Sequence, residues 1–93
     1  MGKYIVIVSK EAKKHLKFHH QSGNRANIRK IERIIRELSE TPYVGVGEPE
    51  LLKYNYAGYW SRRINRKDRI VYAVNEEVVT VSVISALGHY DDK

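Results

Sequence analysis

The stretch from Tyr59 to Val74 constrains the fold more than any other part of the chain. Tyr59–Ile64 and Arg69–Val74 read as two strands flanking a turn at Asn65-Arg66-Lys67-Asp68. Side chains alternate across a strand, so the turn length decides which residues share a face. A two-residue turn sets Arg69 beside Trp60 and Ile64, and Arg63 beside Ile70 and Tyr72, mixing charge into both faces. A three-residue loop, Asn65–Lys67, instead unites Trp60, Ile64, Ile70, Tyr72 and Val74 on one apolar face. Burial selects this second register, because one slip would turn the apolar set outward. Its cost is Arg62 on the core-facing side, where a long side chain near an edge can snorkel to water. The opposite face then carries Tyr59, Ser61, Arg63, Arg69, Val71 and Ala73. Arg63 and Arg69 become direct cross-strand neighbours, and two cations so placed repel. A phosphate between them would relieve that.

The remaining segments build an α+β domain around this hairpin. Lys3–Val8 (KYIVIV) is a short apolar, β-branched run and reads as a buried strand. Ser9 offers an N-cap for a helix over Lys10–Ser22, and Gly23-Asn24 ends it. Residues 26–39 place Ile28, Ile31, Ile34, Ile35 and Leu38 at helical spacing, with Arg25, Arg29, Arg33 and Arg36 on the other side. Thr41-Pro42 closes the helical region, because the residue before proline leaves α geometry. Tyr43–Pro49 is a loop; its Gly45-Val-Gly47 lacks the third glycine and the following helix of a dinucleotide fingerprint. Asn75–Glu77 is a second turn and Val78–Leu87 a third strand, whose alternation shifts at Ile84 and suggests a bulge. The order predicts an N-terminal strand, two antiparallel helices and a three-stranded antiparallel meander, with both helices on one face of an antiparallel sheet.

At 93 residues the chain has room for one domain, residues 1–93. It has no run of about 20 apolar residues that could span a membrane, so a soluble cytoplasmic protein is expected. The absence of cysteine removes disulfides, thiolate metal sites and Cys nucleophiles. The net charge of +6 favours a polyanionic partner such as nucleic acid. Residues 1–47 hold ten Lys/Arg against four Asp/Glu, while residues 48–93 hold seven of each. The second half nevertheless concentrates Arg62, Arg63, Arg66, Lys67 and Arg69 within eight residues, a candidate anion site.

Near that knot the titratable candidates are Glu50, Lys53, Arg63, Arg69, His89 and Tyr90. Cleavage of RNA by its own 2′-hydroxyl needs a base for the hydroxyl proton, cations for the phosphorane and an acid for the departing 5′-oxygen. A glutamate, two arginines and a histidine match those needs without a metal or cofactor. Arginine suits the middle task because its planar fork stays charged and can hold two phosphate oxygens. His15 and His19 lie four apart on the first helix and could ligate a metal, but a solvated Lys/His face is the simpler reading.

The fragments PELLK (Pro49–Lys53), GYWSRRI (Gly58–Ile64) and DRIVYAV (Asp68–Val74), with the closing His89-Tyr90, resemble the Txe/YoeB family of RelE-superfamily toxins from bacterial toxin–antitoxin modules. The likeness covers nearly the whole chain. It implies a RelE-like microbial RNase fold and metal-independent cleavage of mRNA in the ribosomal decoding site. It implies Glu50 as general base, Arg69 with Arg63 stabilising the phosphate, His89 as general acid and Tyr90 positioning the nucleotide. Lys53, Arg62 and Tyr59 would bind phosphate or RNA. The implied partners are a cognate antitoxin, the ribosome and mRNA, operator DNA through the antitoxin, and a possible homodimer. Asp68 departs from a frequent histidine in such relatives, Tyr56 replaces an aliphatic residue, and Asp91-Asp92-Lys93 follow the His-Tyr pair. The competing expectations are a non-enzymatic RNA- or ribosome-binding protein and a DNA-bound corepressor subunit.

Overall fold

The structure, a computed structural model, describes residues 3–88. Strand β1 (Ile5–Val8) leads into helices α1 (Lys10–Ser22) and α2 (Arg25–Leu38). Strands β2 (Glu50–Leu51), β3 (Trp60–Arg63), β4 (Arg69–Asn75) and β5 (Thr80–Ser85) follow, with one 3-10 turn at Tyr54–Tyr56. Both helices start where the sequence supplies a cap. The Ser9 hydroxyl accepts from the Ala12 N–H at 3.0 Å, and the Asn24 side-chain oxygen accepts from the Asn27 N–H at 3.0 Å. Gly23 takes the left-handed conformation between them (φ 75°).

The strands form one sheet in the order β1-β5-β4-β3-β2. The meander is antiparallel as expected, but β1 pairs parallel to β5, so the sheet is mixed. The β3–β4 register is the one that burial selects: Trp60 opposes Tyr72, Arg62 opposes Ile70 and Arg63 opposes Arg69. The Ile64 N–H reaches the Asp68 carbonyl at 2.9 Å, and Asn65 Oδ1 accepts from the Lys67 and Asp68 N–H groups, closing the three-residue loop. The shift at Ile84 is also real. Tyr72 opposes Val83 while Val71 opposes Ser85, so Ile84 is the extra residue of a bulge.

Three expectations are corrected. The N-terminal strand lies at a sheet edge and is not buried on both faces; Ile5 and Ile7 are 65% and 52% exposed, and Tyr4, Val6 and Val8 face the core. An all-apolar run hides this alternation from sequence. The second turn occupies residues 76–79, so β5 begins at Thr80. Asn75 Oδ1 accepts from the Glu77 and Val78 N–H groups, and Val79 adopts a positive φ of 48°. The short strand β2 falls in a region read only as loop and motif; Glu50 opposes Ser61 and Leu51 opposes Trp60.

The core lies between the helices and one sheet face. Ile31, Ile34 and Leu38 of α2 pack with Ala12, Ile64, Ile70, Tyr72, Val81 and Val83. Inside it sits Arg62, fully buried and not snorkelling. Its Nη1 pairs with Glu37 Oε1 at 2.7 Å and also points at the Val46 carbonyl at 3.5 Å. Nη2 donates to the Thr41 and Val44 carbonyls at 2.7 and 2.9 Å, and Nε donates to the Tyr72 hydroxyl at 3.2 Å. Five donors thus meet five acceptors, which makes a buried charge tolerable. The Tyr72 hydroxyl in turn donates to the Pro42 carbonyl at 2.7 Å. Loop 41–47 is therefore wrapped around one guanidinium. Gly45 (φ 138°) is required there, since a Cβ would collide with the Glu37 carboxylate and lie 2.7 Å from Arg62 Nη1.

Burial, the largest single influence on Glu37, pushes its carboxyl up. The Val46 N–H, Arg62 and Arg33 together outweigh it and hold the group below its ordinary 4.5. Its folded pKa is lowered, so its contribution to stability is present above pH 4.5 and lost as pH falls through the lowered value. Glu37→Gln is expected to be less stable at neutral pH yet to lose less stability on acidification, read from urea midpoints across the acid range. Arg62→Leu leaves Glu37 and the loop carbonyls unpaired and should cost about 3–5 kcal/mol in the same measurement.

Candidate active site

On the sheet face away from the helices, β2, β3 and the start of β4 bring Glu50, Tyr59, Ser61, Arg63, Arg69 and Val71 to one side, as the pairings Glu50–Ser61 and Arg63–Arg69 require. Arg69 Nη1 contacts Glu50 Oε1 at 3.2 Å; the arginine side chain is 21% exposed and the glutamate 58%. Arg63 Nη1 contacts Glu48 Oε1 at 3.2 Å, with both side chains open to solvent. The two guanidiniums do oppose each other across the ladder. Their repulsion is not left for a ligand alone to relieve, because each has a carboxylate of its own. Glu48 escaped the sequence reading, since it sits in a loop with no periodicity to place it. Its positive φ of 52°, and that of Tyr54 at 55°, bracket β2 with backbone conformations that non-glycine residues seldom adopt.

The backbone of Arg69 adds a further element. Its N–H donates to the Gly88 carbonyl at 2.9 Å, which ties the last described residue to the start of β4. His89 and Tyr90 lie outside the described residues. Lys53 is exposed just beyond β2, and Tyr59 is half-buried, with its carbonyl accepting from the Leu52 N–H at 2.8 Å. Arg62 is the site expectation that the structure corrects: buried, with every donor engaged internally, its guanidinium has nothing left to offer an RNA phosphate. Alternation alone put it on the core side, and the signal that it would stay there was the acceptor-rich loop around Gly45.

The histidines of α1 are also placed differently from the solvated face expected of them. His19 is buried and its Nε2 lies 2.7 Å from the Ala86 carbonyl. His15 Nδ1 accepts from the Ala86 N–H at 3.0 Å while its Nε2 faces Glu11 at 3.1 Å. Among the described residues no group of three or more His, Asp or Glu could hold a metal, and no helix is long and apolar enough to cross a membrane. What the surface offers chemically is a solvent-accessible carboxylate within hydrogen-bonding range of a fixed cation, with a second cation across the strand.

Residues 9–90 match the family of YoeB-like toxins of bacterial type II toxin–antitoxin systems. The chain is 39% identical over 62 residues to Toxin YoeB of Escherichia coli strain K12, covering 67% of this chain and 74% of that protein. It is 37% identical over 70 residues to Toxin YoeB of Synechocystis, covering 75% and 79%. Among solved structures it resembles a YoeB/ParE toxin from Agrobacterium tumefaciens (TM-score 0.82, 35% identity, 92% of this chain and 99% of that one). It also resembles the toxin of a heterotetrameric YoeB–YefM toxin–antitoxin complex from Staphylococcus aureus (TM-score 0.76, 31% identity, 94% and 98%).

The Glu50–Arg69 pair sits at the surface, so solvent screens it and it holds little of the fold together. Glu50→Gln is expected to shift unfolding stability by less than about 1 kcal/mol, and a double-mutant cycle with Arg69→Gln should give a coupling in the same range. Urea titrations of the four proteins check both values.

Proposed function

This chain belongs to the YoeB-like toxins of bacterial type II toxin–antitoxin systems, and on that footing we propose that it is a ribosome-dependent endoribonuclease that cleaves mRNA in the decoding site and so stops translation. The observation that carries this reading is the 3.2 Å contact between Glu50 Oε1 and Arg69 Nη1, with the Arg69 N–H bonded to the residue before His89. On this reading Glu50 is the base and Arg69 the phosphate-binding cation, and the segment leading to the acid follows Gly88.

In the proposed reaction Glu50 takes the proton of the 2′-hydroxyl, whose oxygen attacks the adjacent phosphorus. Arg69 and Arg63 swing from their carboxylates to the phosphate oxygens and neutralise the charge of the phosphorane. Exposed ion pairs are worth little, so the exchange of partners costs little. His89 gives a proton to the 5′-oxygen as its bond to phosphorus breaks, leaving a 2′,3′-cyclic phosphate and a 5′-hydroxyl. Tyr90 orients the nucleotide; Lys53 and Tyr59 hold the flanking strand. The exposed Lys13, Lys14, Lys17, Arg29, Arg33 and Arg36 of the two helices suit ribosomal RNA, and a ribosomal target implies a cytoplasmic protein. A cognate antitoxin is the partner that silences it, with acidic side chains competing for Arg63 and Arg69. The toxin meets operator DNA through that antitoxin, and a homodimer is a further state to test.

Primer extension on mRNA in a translating extract tests this reading. Wild-type protein is expected to produce discrete stops, and Glu50→Gln or His89→Ala to lower cleavage by about 10²-fold or more while ribosome binding persists. Retained cleavage in both variants overturns the acid–base assignment. Inhibition without any cleavage returns the protein to a ribosome-binding role.

A further inference from the structure

The segment after β5 is held in an unusual way. Past Ser85 the chain leaves the sheet, yet four of its backbone groups find partners. Ala86 donates its N–H to His15 Nδ1 at 3.0 Å and receives His19 Nε2 on its carbonyl at 2.7 Å. Two residues on, Gly88 donates its N–H to Asp68 Oδ1 at 2.9 Å and accepts the Arg69 N–H on its carbonyl at 2.9 Å. Side chains from α1 and from the β3–β4 loop thus supply three of the four bonds, and the backbone at the start of β4 supplies the fourth.

We propose that Asp68, His15 and His19 are positioning residues that lock residues 86–88, the segment that precedes His89, and that the rate of cleavage depends on this lock. The proposal rests on the nuclease reading for its kinetic consequence and on these bonds alone for its structural one. The chemistry of each side chain fits its task. Asp68 is buried, and its second oxygen accepts from Asn65 Nδ2 at 3.1 Å, so the carboxylate ties its own hairpin loop to a segment twenty residues away. Burial pushes its carboxyl up, but the Gly88 N–H, the Asn65 amide, His19 and Lys67 outweigh it and keep the group below its ordinary 3.8. It therefore accepts as an anion, which strengthens the bond to Gly88. With Nδ1 of His15 accepting, its proton sits on Nε2, toward Glu11. Gly88 itself has a φ of 75°, a backbone that glycine adopts without strain.

A general acid misplaced by about 1 Å can lose some 10²-fold in rate. Asp68→Ala should lower the single-turnover rate on programmed ribosomes by about 10- to 100-fold, with KM for the ribosome unchanged. Asp68→Asn keeps an acceptor for Gly88 and should recover much of the loss. A second pair leaves the hairpin untouched: His19→Leu removes the donor to Ala86, whereas Gln in His19→Gln restores an N–H near the Nε2 position. In parallel, amide hydrogen exchange of Ala86 and Gly88, followed by NMR in the full chain, should show protection in wild type. Protection should be lost at Gly88 in Asp68→Ala and at Ala86 in His15→Leu, which removes the acceptor of the Ala86 N–H. If Asp68→Ala does not fold, the His19 pair decides on the rate and His15→Leu on the exchange. Wild-type rates in Asp68→Ala and His19→Leu, or unprotected Ala86 and Gly88 amides in the wild type, overturn the proposal. A wild-type protein that does not cleave at all, with those amides protected, removes the nuclease reading and leaves the lock standing.

Discussion

A single buried guanidinium organises this small protein. Arg62 spends its donors on Glu37 of α2, on the Tyr72 hydroxyl of the central strand and on carbonyls at 41, 44 and 46. A helix end, the middle of the sheet and an irregular loop therefore share one charge. That loop ends in β2, and the Gly47 carbonyl accepts from the neighbouring Arg63 N–H. The location of Glu50 on the far face thus depends on an ion pair on the near face. Replacing such a pair wholesale with apolar groups can be neutral in other proteins. Here the loop carbonyls would still need donors, so the charge specifies a conformation beyond its net contribution to stability.

The two neighbouring arginines of β3 show how one strand separates two duties. Side chains alternate, so Arg62 points into the core and Arg63 to the open face. The same residue type acts in opposite ways: one is saturated and immobile, the other paired to an exposed glutamate with which it can part. On that face Arg63 and Arg69 are each paired with a carboxylate. The surface is therefore a set of exchangeable ion pairs and not a bare positive patch, which tempers non-specific attraction to polyanions.

Much of this was legible in the sequence where periodicity and turn chemistry agreed. The hairpin register followed from where Ile64, Ile70 and Tyr72 had to be buried, the first helix began right after its Ser9 cap, and the second began one residue before its expected start, capped by Asn24, which read only as part of a turn. The bulge at Ile84 showed as a break in alternation. Legibility failed where apolar residues ran without interruption, as in β1, because a strand with one exposed face then looks like one with none. It failed again where the partner was distant: nothing near His15, His19 or Asp68 in sequence announces Ala86 or Gly88. Short strand β2 had too few residues for any period, and Glu48 belonged to no pattern. His89 and Tyr90 rest on resemblance alone.

The parallel pairing of β1 with β5 has a kinetic side. Ile5 meets Thr80 and Val8 meets Val83, contacts separated by some seventy-five positions. During synthesis β1 and the two helices emerge with their principal partner strand still unmade, and such long-range closure is slow. The histidines of α1 likewise wait for Ala86. A nascent chain accordingly passes most of its elongation with the Glu50–Arg69 face unassembled, and that face closes only once the last strand has emerged.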